Sequence, residues 1–221
     1  MKKFLKILVT FFLLGNYNLF AVSPRFRWVQ YRYEGDLPMR DAVKQVLWEL
    51  VRITSVEVEE EPLYGNLDDE EFFLSPFIYL TGRNVSINFG PEEKRKIISH
   101  ITAGGLWLVD DSSENQGSPF WISVRKEFES LFGPWSIKPL PESDVIFRTF
   151  FLFQPEVARK FELEGIFVDG RAAVIFSKNL LQNATKRKYH LRLLINIIMY
   201  SLTTDYKLDQ IHQPFIKKRL R

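Results

Sequence analysis

FIYLTGRN (residues 77–84) and GGLWLVDDSS (residues 104–113) decide the fold. Each is a short continuous apolar run that passes straight into a polar cluster. The first ends at Thr81, Gly82 and Arg83, the second at Asp110, Asp111, Ser112 and Ser113. Apolar runs of this length read as strands covered on both faces. A helical pattern follows each of them. Strand, polar tip and helix in succession is how an open α/β sheet presents a site at the carboxyl ends of its strands.

The flanking sequence repeats the alternation. RFRWVQYRY (25–33) is rich in aromatic and β-branched residues and reads as the first strand. Val43, Val46, Leu47, Leu50 and Val51 then form a helical stripe. SVEVEEE (55–61) alternates valines with acids and reads as a strand near a sheet edge. PEEKRKIISHIT (91–102) opens with Pro and acids, which favour a helix start. Trp121, Val124, Phe128 and Leu131 mark one face of the next helix, which Gly133-Pro134 ends. Residues 133–165 carry four prolines and read as an excursion with a short strand near IFRTFFLF (146–153). Asp169-Gly170 between two apolar runs signals a hairpin. Leu191, Leu194, Ile195, Ile198, Met199 and Leu202 place a buried helix last. The pattern predicts an α/β fold: a mainly parallel sheet with helices on both faces, closed by a hairpin and a helix.

Composition narrows the function classes. The chain has 221 residues, 46% of them hydrophobic, enough for one substantial core. Residues 1–21 begin with Lys2 and Lys3, continue with an apolar stretch from Ile7 to Leu14, and are interrupted by Asn16 and Asn18. A membrane span needs roughly 20 apolar residues. The segment therefore reads as a signal peptide ending at Ala21, with an uncleaved anchor as the alternative. That leaves a single domain over 22–212 and a basic tail over 213–221. The 30 Lys and Arg include Lys2, Lys3 and Lys6, so the rest of the chain balances 27 cations against 27 acids. A chain that is neutral beyond its leader offers no nucleic-acid surface. Cysteine is absent, which excludes disulfides, thiol nucleophiles and Cys-based metal sites.

The polar tips supply the candidate site. Asp110 and Asp111 suit a divalent cation or acid–base work, provided both face one site. Neighbours on a strand point to opposite faces. The competing role is structural: one Asp caps the next helix or binds local backbone amides. Thr81, Gly82 and Arg83 suit an anion, or a plain turn with a surface charge. Ser177, Lys178 and Asn179 close the hairpin's second strand and reach the same edge. Ser112, Ser113 and Ser118 lack the G-x-S-x-G context of a nucleophile elbow. His100 lies in a helix ending at the opposite edge, His190 opens the last helix, and His212 is in the tail. No histidine is placed as a base, and each reads as a surface or capping residue.

Six blocks carry a family resemblance: RFRWVQYRYEG, SPFIYLTG, ITAGGLWLVDDSS, LPESDVIFRTFF, LEGIFVDGRAAVIFS and INIIMYSLTTDYKLDQIH. In order and spacing the chain resembles an uncharacterised family of exported bacterial domains over roughly 24–212. That family is similar in fold to the class I glutamine amidotransferase-like group, a flavodoxin-like three-layer sandwich. The resemblance implies no established activity. It also implies a depleted site. Arg83 stands where the family carries His. Asp144, Val145 and Ile146 stand for Asp-His-Pro, and Asn179, Leu180 and Leu181 for Asn-Asp-Leu. Amidotransferase chemistry needs a nucleophilic Cys, which this chain lacks.

The expectation is that Thr81, Gly82, Arg83, Asp110, Asp111, Ser112, Ser177 and Asn179 line one surface. The function expected there is non-catalytic capture of a cell-envelope protein or small ligand, with no cofactor and no nucleic acid. One alternative is a metal-dependent hydrolase using Asp110 and Asp111. Another is a membrane-anchored component of an envelope complex, if the leader stays attached.

Overall fold

The computed structural model describes residues 25–114 and 117–219, with side chains as far as Thr203. The expected leader, residues 1–21, lies outside the described residues, as do the side chains of Asp205 to His212.

Seven strands form one sheet in the order β2-β1-β3-β4-β7-β6-β5. They are β1 (Val29–Tyr31), β2 (Leu63–Gly65), β3 (Phe77–Gly82), β4 (Leu106–Asp111), β5 (Lys138–Pro139), β6 (Glu164–Val168) and β7 (Arg171–Lys178). Strands β2, β1, β3, β4 and β7 run parallel, while β6 and β5 add antiparallel at one edge. The hairpin turns at Asp169 and Gly170, both at positive φ, as a two-residue primed turn requires.

Alternation along the strands divides the side chains between two cores. Phe77, Tyr79, Leu106, Leu108 and Ile175 face one layer. That layer contains α1 (Arg40–Ile53), α6 (Leu180–Ala184) and the long α7 (Lys188–Arg219). Ile78, Leu80, Trp107, Val109, Val174 and Phe176 face the other. There lie α2 (Glu70–Phe73), α3 (Pro91–Thr102) and α4 (Pro119–Phe132). The result is a mostly parallel three-layer α/β sandwich of flavodoxin-like type. β3 and β4 are buried on both faces, as continuous apolar runs demand.

Three readings need correction. SVEVEEE is not a strand: only Val58 bridges, to Phe26, and the edge strand comes later at Leu63–Gly65. The stretch 146–153 is not a strand either. It forms a 3₁₀ turn, Val145–Arg148, and a loop whose backbone is taken by a side chain. Asn196 of α7 accepts from Phe151 N and donates to the carbonyls of Ile146 and Phe151. The second sheet edge is instead the two-residue β5. A short α5 (Pro155–Ala158) completes the excursion.

The third correction concerns His100, which is buried rather than a surface group. Its Nε2 lies 2.8 Å from the Ser75 carbonyl, and its Nδ1 accepts from Trp107 Nε1 at 3.0 Å. Because the indole only donates, Nδ1 is unprotonated and Nε2 carries the proton. Gly105 sits against this ring, and a Cβ there would overlap the imidazole.

Candidate functional site

Sheet register assembles the strand tips. Thr81 pairs with Asp110, and Asp110 with Ser177, so one row of polar side chains crosses three adjacent parallel strands. Gly82, Asp111 and Lys178 form the next row, on the opposite face. All three strand ends point the same way because β3, β4 and β7 run parallel.

The first row is a closed network. Asp110 is fully buried, and burial raises its carboxyl while its hydrogen bonds lower it. Oδ1 accepts from Ser177 Oγ and Leu180 N, both at 2.9 Å. Oδ2 accepts from Tyr79 Oη at 2.9 Å and Leu181 N at 3.0 Å. Two of these donors are the first amides of α6, so Asp110 caps a helix 70 residues further along the chain. An acid at a helix N-terminus also meets the positive end of the helix dipole. Thr81 Oγ1 donates to the Asp110 carbonyl at 2.8 Å and lies 2.7 Å from Ser112 Oγ.

Asp111 turns to the α4 side. It accepts from Ser113 N and Ser113 Oγ, and from Ser118 Oγ at 2.9 Å. Ser118 is itself the N-cap of α4 and accepts from Trp121 N. Asp111 therefore binds a local amide, as weighed, while Asp110 caps a distant helix rather than the next one, and the two lie on opposite faces of one strand.

Gly82 is a packing glycine, since a Cβ would overlap the Tyr33 hydroxyl and the Phe120 ring. Arg83 is exposed, with Nε donating to the Ser112 carbonyl at 2.8 Å. Asn179 adopts the left-handed conformation at φ 51. Its amide donates to the Asp111 carbonyl and its Nδ2 to the Ser113 carbonyl. Thr81, Gly82, Arg83, Asp110, Asp111, Ser112, Ser177 and Asn179 thus share one edge, but they fasten β3, β4 and β7 to one another and to α6. Of the three positions where the resembling family places other polar residues, Arg83 and Leu180 flank this junction. The third, Val145, opens the 3₁₀ turn and precedes Ile146, whose carbonyl Asn196 holds.

Open space begins one strand over. A cavity of about 590 Å³ lies between α4, the amino end of β6 and the tip of β7. Trp121, Arg125, Phe161, Glu164, Ser177 and Lys178 are among its lining residues. Arg125 forms a forked pair with Glu164, with Nη2 at 3.1 Å from Oε1. Arg125 and Lys178 stand 5.0 and 5.1 Å from the Trp121 ring centroid. Only Ser177 belongs to both the polar row and this cavity. Trp121 and Arg125 were legible as an i, i+4 pair on a helix, but nothing in the local sequence ties them to Lys178. Among the described residues, no group of three or more His, Asp or Glu converges for a metal, and no helix is long and apolar enough to cross a membrane.

Residues 25–202 match the family described as a domain of unknown function (DUF4159). The match spans most of the chain, and the chain belongs to that family. No curated protein matches it.

Proposed function

We propose that this member of the DUF4159 family is an exported, non-catalytic domain that captures a ligand or partner at the carboxyl edge of its sheet. The cavity beside β7 is the point of capture. One observation carries this reading: the polar strand tips are occupied by protein donors, while the adjoining cavity is lined by an aromatic ring and cations. Trp121 offers a flat apolar wall and Lys178 an ammonium group at its rim. The arrangement suits a ligand with a planar or apolar body and an anionic group. The parallel 2-1-3-4-7 block also supports kinship in fold to the class I glutamine amidotransferase-like group. Without cysteine the chain lacks that group's nucleophile.

The test is ligand-observed NMR with a set of aromatic and aliphatic carboxylates. Binders are expected, and Trp121→Ala and Lys178→Gln should each weaken them by about tenfold, the effect of roughly 1.4 kcal/mol. Binders indifferent to both substitutions would end the assignment to this cavity. Export is tested by intact mass on protein from its native host. Loss of residues 1–21 is the expected result, and recovery of the full 26.1 kDa chain from membranes would replace it with the anchored reading.

A further inference from the structure

We propose that the face built by residues 145–153 and the first turns of α7 docks onto a lipid bilayer that carries anionic headgroups. This goes beyond ligand capture and uses a different surface.

The face combines apolar tips, a rigid pedestal and a cationic surround. Leu152 is 82% exposed, Tyr189 56%, Val145 41% and Phe150 40%. Beneath them Phe153 packs edge-on against Phe147 and Phe161 and lies 6.5 Å from the Tyr189 ring. The three hydrogen bonds of Asn196 pin the loop backbone, so the tips are presented without further ordering. Arg192 stands 4.9 Å over the Phe151 ring, and Arg148, Lys186, Arg187 and Lys188 are exposed around the same face.

Neither segment contains an acid: none occurs in 145–153, and none in 179–204. The acids that flank the face are Asp144, Glu142, Glu156 and, beyond Phe161, the exposed Glu162. Asp144 caps the 3₁₀ turn, and Glu142 and Glu156 act on Arg159. In a chain whose charges balance outside residues 1–21, this local excess is a charge pattern complementary to an anionic surface.

The shape and composition favour lipid over protein. The apolar side chains stand out singly as tips rather than lining a groove. Aromatic and aliphatic tips ringed by Lys and Arg are the makeup of an interfacial membrane binder.

The test is co-sedimentation of the full chain with two kinds of vesicle, phosphatidylcholine alone and phosphatidylcholine mixed with phosphatidylglycerol. Binding should be stronger to the mixed vesicles and should weaken as salt is raised. Lys186→Gln and Lys188→Gln should each lower it by about fivefold. Leu152→Ser, at an exposed site that spares the fold, should lower it by about tenfold. Leu74→Ser, also largely exposed but on α2's side of the sheet, should leave it unchanged. All variants keep the same N-terminal segment, so its own affinity for lipid cancels in the comparison. Equal binding to both vesicles, or a Leu152→Ser variant indistinguishable from the parent, would overturn the proposal. So would preference for polyglutamate over the mixed vesicles, which would make the face a dock for an acidic protein.

Discussion

Asp110 holds four donors on a carboxylate with no contact with water, and each donor becomes unsatisfied or opposed if the carboxylate changes. In Asp110→Asn one oxygen becomes an NH₂ that faces a backbone N–H whichever way the amide is turned, and the hydroxyl beside it must turn round to accept. The expected cost is about 2–5 kcal/mol, read as a lowered urea midpoint with unchanged slope. Asp111→Asn keeps one oxygen for Ser113 N and Ser118 Oγ, and its NH₂ can donate to Ser113 Oγ. That variant should lose only about 1 kcal/mol. Equal losses would mean that Asp110 does not cap α6. His100 sets a second test. Burial lowers its imidazole to about 4, from the ordinary 6.5. Below pH 6.5 the unfolded chain takes up a proton that the folded chain refuses, so stability falls with pH from 6.5 down to about 4, then levels. The window holds on the order of 3 kcal/mol. Denaturation midpoints between pH 7 and 4 should show that loss, and His100→Gln should remove most of it. At this scale the sequence shows which residues reach the sheet edge, but not their partners. The capping role of Asp was readable as a residue preference. The helix it caps was not, because the contact closes a loop of 70 residues.

Elements with a single strong periodicity were legible, and elements defined by a partner were not. β3 and β4 are continuous apolar runs, and no other structure buries six consecutive residues so simply. The hairpin was readable because Asp-Gly supplies two positive φ values cheaply. The stretch 146–153 has the composition of a strand, yet Asn196 takes its backbone groups before any strand can. β5 has two residues, one of them a proline without an N–H, and exists only because β6 accepts it at the edge. The passage from α3 to β4 depends on a side chain from the helix packing over the turn. Gly105→Ala pushes a methyl group into an imidazole held at both nitrogens, and the ring has no room to yield. A loss at or above the upper end of the usual 1–3 kcal/mol for overpacking is expected by thermal denaturation. A variant as stable as the parent would show that His100 can swing aside.

Across the whole molecule the sheet has a graded interior. β3, β4 and β7 lie at its centre, with helices over both faces and the Asp110 network tying their tips together. β2 is only half-buried, and β5 is exposed. Opening a central strand breaks two ladders and uncovers both cores at once, so its amides exchange only when the entire domain unfolds. Opening β5 breaks one short ladder and uncovers almost nothing. Native-state hydrogen exchange should therefore sort the amides into tiers. Ile78–Thr81, Trp107–Asp110 and Val174–Ser177 should share one opening free energy, equal to that of global unfolding and equally reduced in Asp110→Asn. Gly65 and Lys138 should exchange through local fraying that the substitution leaves untouched. Should β7 instead open with β6 and β5 as a separate unit, the hairpin edge would be an autonomous layer. The row Thr81–Asp110–Ser177 would then be a surface contact between two units rather than the bolt across one core.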